Sequence, residues 1–288
     1  MPHASLETMK KKIFLMGANG HVGRNLATEL VHAGASVRAG TRNPKKALPI
    51  PGIEWVYFDL GDSASIAKSL EGVQRAFLMS PPGFSNQYEV FSPLIRRAKA
   101  SGLEKVVLMT AFGVDANPSI PFRQAELELE ATGMRHAFVR PNWFMDNFKG
   151  LWSRSIRERK TLAIPAGNAK VSLIDSRDIA EVTSLLLTND AFHDGGYDLT
   201  GPEALNMRET TELYSKAAGF KVTYTDFDQD AYLNSFLEEG YNLAYARVMV
   251  HLFKSMREGH AAAVTETVRA VTGHTGRTFA QWCARNVT

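Results

Sequence analysis

The run KIFLMGANGHVGRNLATEL, residues 12–30, decides how the chain reads. A short apolar segment leads into three glycines spaced three apart, Gly17, Gly20 and Gly23, and then into Val22, Leu26 and Leu30, which recur at helical spacing. The local order is strand, tight turn, helix. Gly17 permits the turn, Gly20 lets backbone N–H groups approach a pyrophosphate, and Gly23 lets helix and strand pack closely, while the helix N-terminus adds partial positive charge. The glycines alone would also suit a structural turn; the strand before them and the helix after them favour a dinucleotide cradle.

The same rhythm continues on the C-terminal side. SVRAGT, IEWVYFD, QRAFLMS, VVLMT and HAFVRP are five further apolar runs, with helix-period segments between most of them, such as Val90, Phe91, Leu94, Ile95 and Ala98. Strands without polar alternation are buried on both faces, and strand–helix repetition implies right-handed crossovers. The expectation is an α/β protein with a doubly wound, parallel, Rossmann-type sheet over residues 11–150. Residues 151–288 read as a smaller, mainly helical substrate lobe, with some later segments returning to the sheet. Within it VSLID (171–175), YDLTG and KVTY read as strands and DIAEVTSLLL as a helix. Asn206 with Glu209 forms a capping-box start for a helix running to about Ala218. Residues 1–10 read as a polar leader outside the fold.

The end of the second strand chooses the dinucleotide. An acidic residue there would hold the ribose 2′-hydroxyl of NAD, but no Asp or Glu occurs between Glu29 and Glu54. The sequence is instead Thr41-Arg42-Asn43-Pro44-Lys45-Lys46, so Arg42, helped by Lys45 or Lys46, is placed to pair with a 2′-phosphate. NADP(H) is the expected cofactor. Asp59-Leu60 and Ser80-Pro81-Pro82 end the next two strands facing the same crevice; each reads equally as a cofactor border or as a plain turn.

Short-chain dehydrogenases commonly protonate a carbonyl with a Tyr-x-x-x-Lys pair. No tyrosine here has a lysine four residues later, and no lysine lies between Lys105 and Lys149. The helix expected over about residues 121–132 therefore lacks a catalytic ammonium, which disfavours ordinary alcohol oxidation.

These residues resemble the NmrA-like atypical short-chain dehydrogenases, whose members include quinone, triphenylmethane-dye and festuclavine-type reductases. The resemblance spans about residues 11–285 and rests on GANGHVG, TRNPKK, FLMSPPG, VVLMTAFGVD, AELELEATGMRHAFVRPNWFMDNF, VSLIDSRDIAEV and VTGHTGRTFAQWCARN. It implies that Gly17, Asn19, Gly20, His21, Val22 and Gly23 hold the pyrophosphate, and Thr41, Arg42 and Lys46 the adenosine end. Asp59 and Leu60 would border adenine, and Ser80, Pro81 and Pro82 the ribose. Thr110, Ala111, Phe112, Pro141, Asn142 and Phe144 would surround the nicotinamide. Several members carry Lys or His in the helix just before a Glu that matches Glu126; this chain has Phe122, Arg123 and Gln124, so no catalytic residue is assigned.

An acceptor that needs only hydride, such as a quinone, an iminium or a cationic dye, would suit such a site. Phe112, Trp143, Met145 and Trp152 read either as a flat apolar pocket for it or as core between the lobes. The expected function is an NADPH-dependent reductase of a small planar acceptor. The alternative is a non-catalytic NADP(H)-binding redox sensor acting through a protein partner.

Composition narrows the rest. Lys and Arg total 33 against 30 Asp and Glu, with no basic tract, so nucleic acid is not an expected partner. A single cysteine, Cys283, excludes an internal disulfide or a multi-Cys metal site and suits a reducing, cytoplasmic setting. No apolar segment approaches a membrane span, the eight histidines show no metal-ligand spacing, and no Gly-x-Ser-x-Gly elbow occurs.

Overall fold

The computed structural model describes residues 11–47 and 49–287; the polar leader read over residues 1–10 lies outside them. The first half alternates β1 (Lys12–Met16), α1 (His21–His32), β2 (Ser36–Thr41), β3 (Ile53–Tyr57), α2 (Ser63–Leu70), β4 (Arg75–Met79), α3 (Gln87–Ala100), β5 (Lys105–Met109), α4 (Pro121–Ala131) and β6 (Arg135–Pro141). The second half continues with α5 (Ser153–Arg159), β7 (Thr161–Ile164), β8 (Lys170–Val171), α6 (Ser176–Thr188), β9 (Gly195–Leu199) and β10 (Leu205–Asn206). It ends with α7 (Met207–Ala218), β11 (Thr223–Asp226), α8 (Gln229–Glu238), α9 (Leu243–Arg257), α10 (Thr267–Thr272) and α11 (Phe279–Asn286). Seven strands form one parallel sheet in the order β3-β2-β1-β4-β5-β6-β9.

Alternation along each strand feeds two cores. Ile13 and Leu15 share one with Leu26 and Leu30 of α1 and Ile179 and Leu186 of α6. Phe14 and Met16 point the other way, into a core with Ile66 of α2, Phe91 and Leu94 of α3 and Leu129 of α4. Both faces are covered, which explains strands that are apolar throughout. Burying each such Leu or Phe contributes about 1.5–3 kcal/mol, so packing on the sheet fixes the helices more firmly than their intrinsic propensity.

Tyr197–Leu199 of the YDLTG run lie in β9, which starts two residues earlier, ends before Thr200 and joins the sheet beside β6, while α6 packs beside α1, so part of the second half completes the first lobe. The remainder surrounds a separate core that includes Phe148, Trp152, Leu162, Phe253, Phe279 and Trp282. Cys283 is buried there, and burial pushes its thiol up to about 12, which leaves it unreactive. Asn206 and Glu209 form the expected capping box at the start of α7.

The expected strand over 171–175 is corrected. Only Lys170–Val171 pairs as a strand, with Leu205–Asn206, and Ile174 makes a lone bridge to Phe144. Ser172 in between donates its hydroxyl to the Ala263 carbonyl at 2.6 Å, so this apolar segment is a crossing held by several neighbours and not a ladder. Among the described residues no helix is long and apolar enough to cross a membrane, and no group of three or more His, Cys, Asp or Glu is placed to hold a metal ion.

Candidate functional site

The strand order reverses at β1, with β2 on one side and β4 on the other. In open parallel sheets the crevice outside the C-terminal strand ends at such a switch point receives the ligand. Here it is a cleft of about 880 Å³, walled by Gly17, Asn19 and Gly20 after β1, Thr41 and Arg42 at the end of β2, Asp59 and Leu60 after β3, and Pro81 and Pro82 after β4.

The three glycines are required for different reasons. Gly17 has φ +79°, a conformation that side chains disfavour. A Cβ on Gly23 would fall 2.1 Å from the Gly17 carbonyl oxygen, so packing of α1 on the turn demands glycine. Neither reason applies to Gly20: its backbone is extended, and a Cβ would meet only the Gly17 oxygen at 3.4 Å. What remains for Gly20 is close approach of a ligand from the crevice. It is the N-cap of α1 and has no side chain to cap the helix, so the helix's first N–H groups are available to an anion. The residues present therefore fit a pyrophosphate.

Asn19 Nδ2 donates to Thr41 Oγ1 at 3.1 Å, tying the glycine turn to the end of β2. Arg42 follows with its side chain exposed, and Lys45 and Lys46 are exposed in the 3₁₀ turn Pro44–Lys46. His21 opens α1, exposed, whereas the Val22 side chain is buried in the core. Asp59 lines the crevice, and its Oδ1 accepts from the Gly61 amide at 2.8 Å to close a turn. The Ser80 hydroxyl turns onto the Pro81 carbonyl at 3.2 Å.

Outside the residues that wall this cleft, the tips of β5, β6 and β9 are pinned together. The Phe112 amide donates to the Pro141 carbonyl at 3.1 Å, and the Asn142 amide to Leu199 at 2.8 Å. The Asn142 side chain is fully engaged: its Nδ2 donates to Ser172 Oγ and the Ala261 carbonyl, each at 2.8 Å, and its Oδ1 accepts from the Trp143 amide. It joins the lobes and offers a ligand no free amide. Behind the wall, the buried Thr110 hydroxyl donates to Glu126 at 2.7 Å. Glu126 accepts two bonds from Arg140, at 2.9 and 2.7 Å, and one from Arg123 at 2.9 Å, while Arg140 extends to Asp115 at 2.8 Å. Sequence reading missed this network; its one local trace is the i,i+3 spacing of Arg123 and Glu126 on α4.

The four expected pocket residues divide. Phe112 and Trp143 are half-buried, and Trp143 packs on Phe253 with ring centroids 4.7 Å apart. Met145 is 0 % exposed and sealed in the second core, so it is a packing residue. Trp152 is 3 % exposed and borders a different cleft, between α5 and α8. Phe144, half-buried, packs against the first core.

A profile of the NmrA-like family matches residues 9–277. An NAD(P)H azoreductase from Xenophilus azovorans is 30% identical over 278 residues, 94% of this chain and 96% of that protein. An NADPH-dependent quinone oxidoreductase from Escherichia coli, solved with NADPH, superposes with a TM-score of 0.80 at 22% identity, covering 95% of this chain and 99% of that one. NmrA, a negative transcriptional regulator solved with NADP, superposes with a TM-score of 0.75 at 15% identity, over 96% and 95% of the two chains. The two solved structures share the fold, and the profile match and the azoreductase relative establish that this chain belongs to the NmrA-like family.

Proposed function

We propose that the chain is an NADPH-dependent oxidoreductase that passes hydride to a small, planar, electron-poor acceptor of the quinone, iminium or dye type. The observation that carries this is the switch-point crevice, with an unfilled Gly20 at one point of its wall and Arg42, unopposed by any neighbouring carboxylate in the sequence, at another. Arg42 would hold the 2′-phosphate, and the turn from Gly17 to Gly23 with the start of α1 the pyrophosphate. NADPH bound there supplies the hydride.

The chain's own residues define the rest. Hydrogen bonds tie Phe112 to Pro141 at the β5 and β6 tips, and the half-buried Phe112 and Trp143 would give a flat acceptor its apolar contacts. The Thr110 proton is committed to Glu126, so this wall presents no free acid. That favours acceptors already electron-poor at the reacting atom, with water delivering any proton that completes the product. The names of the azoreductase and quinone oxidoreductase relatives support the same class.

The test is NADPH oxidation by the purified protein with a panel of quinones, iminium compounds and cationic dyes. Turnover on a member of the panel is expected. Tight NADPH binding with no turnover on any of them would favour the non-catalytic sensor; one fold neighbour solved with NADP is a transcriptional regulator.

A further inference from the structure

A second cleft, of about 270 Å³, lies behind the glycine turn, between the starts of α1 and α6, the 3₁₀ turn Met145–Phe148 and α11. It shares Asn19 and Gly20 with the dinucleotide crevice and adds His21 of the same turn; its remaining wall residues lie outside that crevice and that turn. Four cationic side chains border it, Arg24, Lys149, Arg177 and Arg285, against two carboxylates, Asp146 and Asp175.

The carboxylates are already engaged. Arg177 grips Asp175, whose Oδ1 also accepts from the Arg177 amide to cap α6. Asp146 accepts from the Ser176 amide at 3.2 Å and faces His21 Nδ1 at 3.7 Å. Arg24, Lys149 and Arg285 pair with no carboxylate among the described residues; Lys149 Nζ donates only to the neutral Asn286 Oδ1, at 2.9 Å. Three exposed cations without a carboxylate partner among the described residues, from three separate elements, thus border one concavity and give it a field that attracts an anion.

We propose that this cleft binds the phosphate of a small phosphomonoester, at the same time as the dinucleotide occupies its own crevice. Size argues for more than a bare ion and less than a second dinucleotide. The volume equals about nine waters at ~30 Å³ each, just below the ~300–1,000 Å³ of ordinary small-ligand sites. Arg and Lys supply the charge-assisted donors that phosphate oxygens accept from, and the space left beyond a phosphate takes a short organic tail. The proposal rests on the NADP(H) reading only for the claim of simultaneous binding.

Calorimetric titration of the full-length protein tests it, using inorganic phosphate, phenyl phosphate and phenol, each without NADPH and with saturating NADPH. The variant is Lys149→Gln/Arg285→Gln, whose NADPH affinity is followed separately by nicotinamide fluorescence and whose folding is followed by its melting temperature. Saturable binding of phenyl phosphate to the NADPH-loaded protein is expected, tighter than that of inorganic phosphate and absent for phenol. The double variant should lose at least tenfold in phenyl phosphate affinity while its NADPH affinity stays within twofold and its melting temperature is unchanged. Complete displacement by NADPH would assign the cleft to the dinucleotide's own cradle and overturn the proposal. Unchanged binding in the variant, or equal affinity for inorganic phosphate, would overturn it as well. Failure of NADPH to bind would sink the cofactor reading alone, because the titrations without NADPH still test the cleft.

Discussion

Glu126 and Arg140 form a buried two-pronged ion pair, at 2.9 and 2.7 Å, directly behind the Thr110 hydroxyl. The Glu126 side chain is 0 % exposed and Arg140 only 8 %, so neither charge can fall back on water. Glu126→Ala would leave the guanidinium to Asp115 at 2.8 Å and Asp198 at 3.7 Å, both partly exposed, and should cost up to about 3–5 kcal/mol, read as a lowered urea midpoint with unchanged slope. Glu126→Leu combined with Arg140→Leu should recover most of that loss, because replacing both buried charges is often close to neutral. A loss under about 1 kcal/mol in the single variant would show that Asp115 and Asp198 hold the guanidinium without Glu126.

Gly20 and Gly23 should separate folding from binding. A Cβ at Gly23 strikes the Gly17 carbonyl at 2.1 Å, so Gly23→Ala is expected to lower both the melting temperature and dinucleotide affinity. Gly20→Ala, whose Cβ has room, should melt like the parent yet bind NADPH at least tenfold more weakly. Equal affinity in Gly20→Ala and the parent, by fluorescence titration, would remove Gly20 from the cradle.

His274 ties the loop after α10 to α6 through Glu181, with Nε2 and Oε1 2.6 Å apart. The bond to Glu181, then the Thr275 carbonyl, raises the imidazole pKa above its ordinary 6.5. A raised folded-state value means that the protonated pair stabilises fully below pH 6.5 and that this contribution is lost as pH rises through the folded value. Glu181→Gln should therefore cost stability at pH 5.5 and cost less at pH 8.5. The imidazole is nearly half exposed, so solvent screening limits the difference to about 0.2–1 kcal/mol. A cost independent of pH would assign the effect of Glu181 to Arg277 instead, which it also faces at 3.4 Å.

Lys105 at the start of β5 is 1 % exposed, and Nζ finds only a long 3.5 Å contact to the Asn189 carbonyl. Burial, followed by the neighbouring Arg135, holds its pKa below the usual lysine range. Lys105→Met, similar in shape and uncharged, should raise stability by about 1–2 kcal/mol in chemical denaturation. Destabilisation by a comparable amount would mean that Asp190 and Asp194 more than offset the buried charge.

The sheet was legible because each of its first six strands is a short apolar run bounded by turn residues, and because GANGHVG must sit between strand and helix. The place of Arg42 at the end of β2, on which the proposed 2′-phosphate site rests, was legible for the same reason, by chain order alone. Apolar residues with two possible destinations were not legible. Met145 and Trp152 read equally as pocket or core until the fold buries both in the second core, Trp152 against Trp143 and Phe148. VSLID reads as a strand, yet Ser172 spends its hydroxyl on a carbonyl from residue 263, a partner no local pattern announces. Contacts between distant residues leave no periodicity: Glu126 with Arg140, His274 with Glu181, and the cleft that gathers Arg24, Lys149 and Arg285 all depend on the finished fold.

The most direct test of the account is a parallel titration of NADPH and NADH against the parent and Arg42→Ala. A charge-assisted bond to the 2′-phosphate is worth about 1.5–3 kcal/mol, so Arg42→Ala should weaken NADPH roughly 10- to 150-fold and leave NADH nearly unchanged. Equal affinity of the parent for the two dinucleotides, or equal loss of both in the variant, would contradict the placement of the 2′-phosphate on Arg42 and with it the NADPH dependence of the proposed reaction.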